Sequence, residues 1–480
     1  MEDAPGQPGA PSLLGYSHMT RHSMGVSIVG LLTLAGAAGA QPGMFEFAQV
    51  GAIELADQGS EPYGADANGD GRPDLVYVGS SPASLCVLLN QGEGGGSFSS
   101  APVCASIAPL SFVGAVAFGD VNEDGIDDAV VGDAEGGPMN VGVFLGTARG
   151  QFEFAVGVSN GPASEPGVGL DDFNGDGHLD IVSSTGGVTP QLTVALGDGT
   201  GNFGASIVSG ETTGPDGRFV SGDADGDGDV DVVYLRDHSP SGLDSVETRI
   251  VVNLNNGDAT FTAVQSLSYP TTLDDVRLGE IDGDGLPDLM LYGYKGDPNF
   301  DHWGGVRLLR NTGGRLELMH LTGWLNLPYP AESAELADLN GDGAAEVVVV
   351  RRSSNEQDVF VWGNDGAGTF DTNAAVLTAR DYSQEVVAFD FTGSELADLV
   401  VFDNPIFGAP DAYLAYENLT SEPEPCPADF NGDGAVNTLD VLAFLNAWSS
   451  HGDGSDFNGD GAVNTQDVLA FLNAWTAGCA

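Results

Sequence analysis

Short apolar runs recur along most of the chain, each entered from a polar stretch in which Asp or Asn alternates with other residues around a Gly. The runs at 75–78, 129–132 and 398–402 follow directly on such stretches. Runs of this length bounded by Gly, Asn and Asp predict strands rather than helices. A further apolar run follows in each period, Val141–Leu145 in the second. Then come a Gly-rich turn and a segment that usually opens on Phe, as at Phe98, Phe152, Phe203, Phe261 and Phe370. A strand such as 115–119 leads into each polar stretch. The periodicity changes only near the C-terminus. There Val441, Leu442, Leu445 and Trp448 recur at helical spacing and are repeated in a duplicate, which predicts two helices sharing a small core.

Four antiparallel strands in a period of about 50 residues is the pattern of a propeller blade. A blade cannot bury both of its faces alone, so blades must stack in a ring. Seven polar stretches predict an all-β, seven-bladed β-propeller over residues 41–421. Residues 44–50 read as a fourth strand with no blade before it, and the last period, after 398–402 and 412–417, has no fourth strand of its own. Pairing the two closes the ring and removes its open edges.

The polar stretches carry a chemistry of their own. In Asp66-Ala-Asn68-Gly-Asp70-Gly71-Arg-Pro-Asp74, oxygen-bearing side chains fall at positions 1, 3, 5 and 9, with Gly at position 6. Alternate residues can point inward, Gly permits the sharp turn, and the position-7 carbonyl adds an oxygen, which is how a short loop wraps a hard cation. The pattern recurs every 51–58 residues: Asp120/Asn122/Asp124/Asp128, Asp172/Asn174/Asp176/Asp180, Asp223/Asp225/Asp227/Asp231, Glu280/Asp282/Asp284/Asp288 and Asp338/Asn340/Asp342/Glu346. A seventh copy, Asp390/Thr392/Ser394/Asp398, has hydroxyls at positions 3 and 5 and Glu395 in place of Gly. Asp and Gly also favour plain turns, but six filled copies at so even a period point to Ca²⁺, about six ions in the propeller.

These repeats resemble the FG-GAP/VCBS repeats of integrin-like β-propellers, on the strength of stretches such as Asp172-Phe-Asn-Gly-Asp-Gly-His-Leu-Asp-Ile. The resemblance implies that the loop residues of the six filled copies are calcium ligands.

A Pro-rich linker at 422–427 precedes a duplicated unit at 428–480. Residues 429–448 recur at 456–475 with one change, Leu439 to Gln466. Each copy is a twelve-position loop followed by a helix, with ligands Asp429/Asn431/Asp433/Asn437/Asp440 and Asp456/Asn458/Asp460/Asn464/Asp467. The pair resembles a dockerin of the kind ending in Gly-Cys, in which an EF-hand-like loop lacks its leading helix. That resemblance implies two further Ca²⁺ and docking onto a cohesin-like domain of a scaffold or surface protein. Contacts would centre on positions 10 and 11, here Thr438/Leu439 and Thr465/Gln466. Cys426 and Cys479 flank the unit, either as a disulfide clasp or with Cys479 covalently processed.

Composition changes the picture in three ways. The formal net charge of −56 argues against nucleic acid or an anionic membrane surface as partner. Ligand positions account for 26 of the 70 acidic residues, so a strongly acidic solvated surface remains after metal binding. Residues 1–40 read as an export signal with an upstream extension: Arg21 and His22, an apolar run over 24–35 too short to span a bilayer, and Ala38-Gly39-Ala40 before Gln41. Met19 is the more natural start. The product is then secreted or attached to the cell surface, with no span after cleavage. In that compartment Cys86 and Cys104, on the third and fourth strands of the first blade, are expected to form a disulfide, two buried thiols being the alternative.

Catalytic signatures are sparse. No His-Glu-x-x-His, Gly-x-Ser-x-Gly or Gly-Lys-Ser/Thr phosphate loop occurs. The reading is therefore a binding or display module, not an enzyme. The alternative is a dockerin-tethered polysaccharide-degrading enzyme, since paired carboxylates leave no local trace. Ten of the 13 Lys/Arg beyond the signal fall between Arg218 and Arg352. Long loops at 236–247 and 295–305 would place Arg236, Lys295 and Trp303, with Trp324, Tyr329, Arg351 and Arg352, on the face opposite the calcium loops. Cations beside exposed aromatics suit a glycan; interblade packing of the Trp residues is the other reading.

Overall fold

The computed structural model describes residues 45–480 apart from 56–61, 81–82, 93–96, 100, 112, 134–139, 160–166, 185–190, 211–217, 239–246, 270–274, 294–304, 319–330, 352–357, 371–373, 379–382, 404–410, 421–427, 429, 431–437, 451, 453, 459–460 and 478–480. The export signal, the linker, Cys426, Cys479, Lys295, Trp303, Trp324, Tyr329, Arg352, Asp429, Asn431, Asp433, Asn437 and Asp460 lie outside the described residues.

Position 9 of every metal loop is also the first residue of a strand: Asp74–Ser80, Asp128–Asp133, Asp180–Ser184, Asp231–His238, Asp288–Gly293, Glu346–Arg351 and Asp398–Asp403. These strands have near-continuous apolar runs because they lie between two neighbouring sheets and bury both faces. Each belongs to a four-stranded antiparallel sheet. In the first blade the order is Tyr63–Ala65, Asp74–Ser80, Ala83–Leu88 and Val103–Ser106, the order of the chain. Five more sheets follow the same rule.

The seventh sheet closes the ring. Ser383–Phe389, Asp398–Asp403 and Ala412–Asn418 are completed by Phe47–Glu54, with Phe47 opposite Asn418 and Glu54 opposite Ala412. The closing strand runs further than expected, through a bulge between Gln49 and Gly51. One buried apolar cluster fills each of the seven blade interfaces. Leu75, Tyr77 and Leu88 of blade one meet Val400 and Tyr413 of blade seven, for example, while Val76, Leu85 and Val87 meet Ala129, Val131 and Phe144 of blade two. Stability of the ring thus rests on contacts between blades.

Cys86 and Cys104 stand directly opposite on adjacent strands and form a disulfide. Some sequence expectations need correction. Phe261 opens a fourth strand, Phe261–Tyr269, but Phe98, Phe203 and Phe370 form single bridges to Asn90, Gly197 and Asn364 before the fourth strand begins. Arg236 is not in a loop: it lies in the strand Asp231–His238, opposite Arg249.

The C-terminal unit has helices at Thr438–Ser450 and Thr465–Ala477. Its core is not the expected Val441, Leu442, Leu445 and Trp448. Phe444 and Phe471 stack at 4.3 Å between centroids, and Phe430 and Phe457 pack edge-on against them. Leu442 and Leu445 face solvent, and Trp448 is half-buried with its Nε1 donating to the Asn464 carbonyl. The Phe at loop position 2 of each copy claims the helix face that carries Phe444 and Phe471, leaving the leucines outside.

Candidate metal centres

The seven propeller loops share one backbone, held by the carboxylates at positions 1 and 9. Asp66 accepts the backbone N–H of Gly69, Asp70 and Gly71 at 2.8, 3.1 and 2.7 Å. Asp172 and Asp223 repeat this in their own loops, and Glu280 and Asp338 accept from positions 4 and 6 of theirs. Asp120 does the same for Asp124 and Gly125, at 3.0 and 2.7 Å. Position 6 turns through positive φ, at 82° for Gly71 and 90° for Gly177, which is why Gly stands there. The position-5 side chain then accepts the position-7 N–H, as Asp70 does from Arg72 at 3.1 Å.

Position 9 anchors the loop to the sheet. Asp74, Asp128, Asp180, Asp288, Glu346 and Asp398 are fully buried, and Asp231 nearly so. Outside blade one, an oxygen of this carboxylate takes the position-2 N–H, as in Val121 to Asp128 at 3.0 Å and Ala224 to Asp231 at 2.8 Å. In every blade it also accepts an N–H at the end of the third strand, from Asn90 to Asp74 and from Asn255 to Asp231, both at 2.7 Å. Burial raises these carboxyls well above the usual range, to about 6 in Asp74, Asp180, Asp231 and Asp398, about 7 in Asp128 and Asp288, and about 8 in Glu346.

Positions 3 and 5 separate the loops. Asn at position 3 donates its own amide in three of them: Asn68 to Asp74 at 3.0 Å, Asn174 to Asp176 at 3.0 Å, and Asn340 to Asp342 and Glu346 at 3.1 and 3.2 Å. Asp cannot donate. In loops four and five Asp225 Oδ1 and Asp282 Oδ1 are buried with no hydrogen-bond partner. Burial, reinforced by neighbouring carboxylates, raises both of these carboxyls. One oxygen each from Asp223, Asp225 and Asp227, and likewise from Glu280, Asp282 and Asp288, lie within 4.8 Å of one another. A buried acceptor without a donor among converging carboxylates fits a hard divalent cation. Asp223, Asp225, Asp227 and Asp231, and Glu280, Asp282, Asp284 and Asp288, would hold it.

In the other filled loops the position-3 Asn also serves the turn, as in loop two. The Asn122 side-chain oxygen turns back to accept the Asp124 N–H at 2.9 Å, and Asp124 Oδ1 accepts the Ile126 N–H at 3.0 Å. Loops three and six bond in the same way, with Asn174 and Asn340 accepting from Asp176 and Asp342 at 2.8 Å, and in loop four Asp227 Oδ1 accepts the Asp229 N–H at 2.9 Å. Among the described residues, sets of three converging acidic or histidine ligands occur in loops four and five and not in loops one, two, three and six. The physical reason is the carboxylate at position 3. It adds a fourth negative group whose Oδ1 has no hydrogen-bond partner, whereas Asn there donates within the loop.

A set of residues that the sequence reading missed ties five of the loops to a neighbouring blade. Asn90, Asn255, Asn311, Asn364 and Asn418 stand just past the third strand or at its end. Each donates its side-chain amide to the position-2 carbonyl of the preceding blade's loop: to Phe391, Phe173, Ala224, Ile281 and Leu339, at 2.7–2.8 Å. Blades two and three have Gly146 and Gly197 there, where a Cβ would lie 2.4 and 2.2 Å from the Asp127 and Leu179 carbonyls. The signal that could have found them is a recurrent Asn 16–24 residues after position 9.

In the C-terminal unit the second loop keeps the same logic. Asp456 accepts the Gly461 N–H at 2.8 Å, and Asp467, buried in the first turn of its helix, accepts from Asn458 and Asn464 at 3.2 and 2.7 Å. Asp440 is buried at the equivalent place. Of the expected ligand face, Arg351 is described: its guanidinium lies 5.1 Å from the Phe360 centroid, and Phe360 stacks on Trp362. First strands of five blades also line an open cavity of about 450 Å³, where Arg277 is paired with Asp275 and Glu335 at 2.6 and 3.2 Å.

Ring and loops together define a seven-bladed β-propeller with a recurrent acidic loop, carrying a small duplicated loop-helix module. The FG-GAP-like repeat family matches residues 66–131, 172–234, 223–291 and 338–401, more than half of the chain, and the chain belongs to that family. Residues 427–474 match the dockerin type I domain. Dockerins bind calcium and cohesins and occur in extracellular, surface-attached proteins. No helix among the described residues is long and apolar enough to cross a membrane. No curated protein matches the chain in sequence.

Among solved structures, the Tc holotoxin pore of Photorhabdus luminescens aligns at 16% identity and a TM-score of 0.36, covering 74% of this chain and 14% of the toxin chain. An exotype rhamnogalacturonan lyase, YesX, aligns at 11% identity and 0.43, covering 82% and 75%. A protein from Lactobacillus plantarum aligns at 12% and 0.37, covering 76% and 96%.

Proposed function

We propose that this is an exported, calcium-stabilised propeller that binds and displays a ligand, tethered through its dockerin to a cohesin on a scaffold or cell-surface protein. About six Ca²⁺ serve the propeller and two the dockerin. The observation that carries the tether is a pair of matched leucine stripes. Leu439, Leu442 and Leu445 on the first helix are 56%, 57% and 40% exposed, and Leu469 and Leu472 on the second are 61% and 38% exposed. A unit of about 50 residues leaves its leucines in water while building its core from phenylalanines, which marks an apolar face kept for a partner. The stripes continue from Thr438/Leu439 and Thr465/Gln466, so either copy can present the same surface.

Titration calorimetry of the full chain against cohesin domains in calcium tests the tether. Leu442→Gln combined with Leu469→Gln should abolish docking, whereas either change alone leaves one face usable. Undiminished docking by the double variant would remove the stripes from the interface. For the propeller, a glycan array in calcium is run beside reducing-sugar release on the same polysaccharides. Binding without turnover supports display; turnover makes the chain a tethered polysaccharide-degrading enzyme.

A further inference from the structure

We propose that Arg310 is a built-in surrogate cation of loop five, competing with calcium for its carboxylates and keeping the loop closed when the ion is scarce. The proposal rests on the calcium reading of the loops and concerns how one of them is tuned. Arg310 lies near the end of the strand Gly305–Asn311. Leu309 pairs with Leu289, which sets Arg310 opposite Asp288, the position-9 carboxylate. Its guanidinium reaches over the loop: Nε lies 2.6 Å from Asp282 Oδ2 and Nη2 lies 3.1 Å from Asp284 Oδ2. The positive charge therefore sits on positions 3 and 5.

Loop four is the natural control. It too has four carboxylates, and the residue opposite Asp231 is Leu254, since Val232 pairs with Asn253. The two loops differ in which carboxylates converge. In loop four they come from positions 1, 3 and 5; in loop five they come from positions 1, 3 and 9, while Asp284 is engaged by Arg310. Arg310 thus draws one ligand out of the set, while the partnerless Oδ1 of Asp282 stays buried within it. Calcium entering loop five must win Asp284 back from a guanidinium. Loop four has Leu254 in the corresponding place, so it fills at lower free calcium, and loop five fills later but tolerates the wait.

Native mass spectrometry of the full chain at graded free calcium counts the bound ions directly. Arg310→Gln and Arg310→Leu, the second reproducing blade four, should each hold one ion at about two- to fivefold lower free calcium than the wild type, the range expected for a half-exposed ion pair. Adding Asp282→Asn to Arg310→Gln should cancel that gain, which assigns it to loop five. In chelator both Arg310 variants should melt below the wild type. Identical ion counts for wild type and both variants at every calcium level would overturn the proposal, as would a lower melt with no change in count, which reduces Arg310 to an ordinary ion pair. A wild-type chain that holds no ions in the propeller at millimolar calcium would instead overturn the calcium reading itself.

Discussion

Loops four and seven have the same backbone and almost opposite chemistry. Loop seven has hydroxyls at positions 3 and 5, and Glu395 at φ 74° where the others have Gly. Yet Asp390 still accepts the N–H groups of Thr392, Gly393, Ser394 and Glu395, and Asp398 still accepts those of Phe391, Thr392 and Asn418. Loop four adds carboxylates at both eroded positions and gains the same backbone bonds plus a buried oxygen with no donor. The difference separates two duties that spacing alone runs together. Positions 1 and 9 fold the loop, and positions 3 and 5 create the need for a cation.

Removing calcium should give the largest effect. A ligand bound only by the folded state contributes about 4 kcal/mol per site at a thousandfold excess over its dissociation constant. Calorimetric melts of the full chain should therefore fall sharply in excess chelator, and an unchanged melt would show that loop four needs no cation. The metal-free melt should also depend on pH. The position-9 carboxyls are raised above their unfolded values, so the fold favours their protonated form. Their contribution is fully present below the ordinary carboxyl range near pH 4 and is lost as pH rises through about 6 to 8. Melts in chelator should rise on acidification from pH 8 to pH 5, with Asp128→Asn flattening the slope. A melt that fell over that range would contradict the cause assigned to the shifts.

Alanine at position 9 comes next. Asp231→Ala and Asp398→Ala each leave two or three buried N–H groups without an acceptor, at about 1–3 kcal/mol apiece. Both should cost about 3 kcal/mol or more in urea unfolding with chelator present, although only the first removes a ligand from a filled loop. If Asp398→Ala proved nearly silent, position 9 would be a metal ligand alone and the separation of duties would fail.

What could be read from the chain and what could not follows the same divide. The loop period, the seven blades and the closing strand were legible because Asp-Gly turns and apolar runs act on their own neighbours in sequence. The role of Asp74 and its counterparts as buried anchors was not, since the N–H groups they hold at the end of the third strand come from residues 16–24 positions onward. Spacing also made all six filled loops look equivalent, although Asn68, Asn174 and Asn340 donate amides within their loops while Asp225 keeps an oxygen that nothing satisfies. Asn90 and Asn255 were invisible for a related reason: their amides act on the preceding blade's loop, 301 and 82 residues away in the chain. Arg310 looked like one of ten clustered cations until strand pairing set it opposite Asp288. In the dockerin the two candidate helix faces, Leu442/Leu445 and Phe444, have equal apolar claims, and only the packing of Phe430 and Phe457 decides which is buried.

The smallest effect isolates position 3 and should change sign between loops. Asn68 donates to Asp74, whereas Asp225 has an oxygen that nothing satisfies. Asp225→Asn gives loop four the donor that loops one, three and six already have, so it should raise the melt in chelator by the equivalent of about 1 kcal/mol. In saturating calcium the same change removes a charged ligand, and the advantage should vanish or reverse. Asn68→Asp runs the exchange backwards. It removes a donor from a buried carboxylate, adds a like charge beside it, and should lower the melt in chelator while narrowing the gap in calcium. Four melts per variant, with and without chelator against the wild type, give the difference of differences. If both substitutions moved the chelator melt in the same direction, the position-3 side chain would not be what distinguishes the loops.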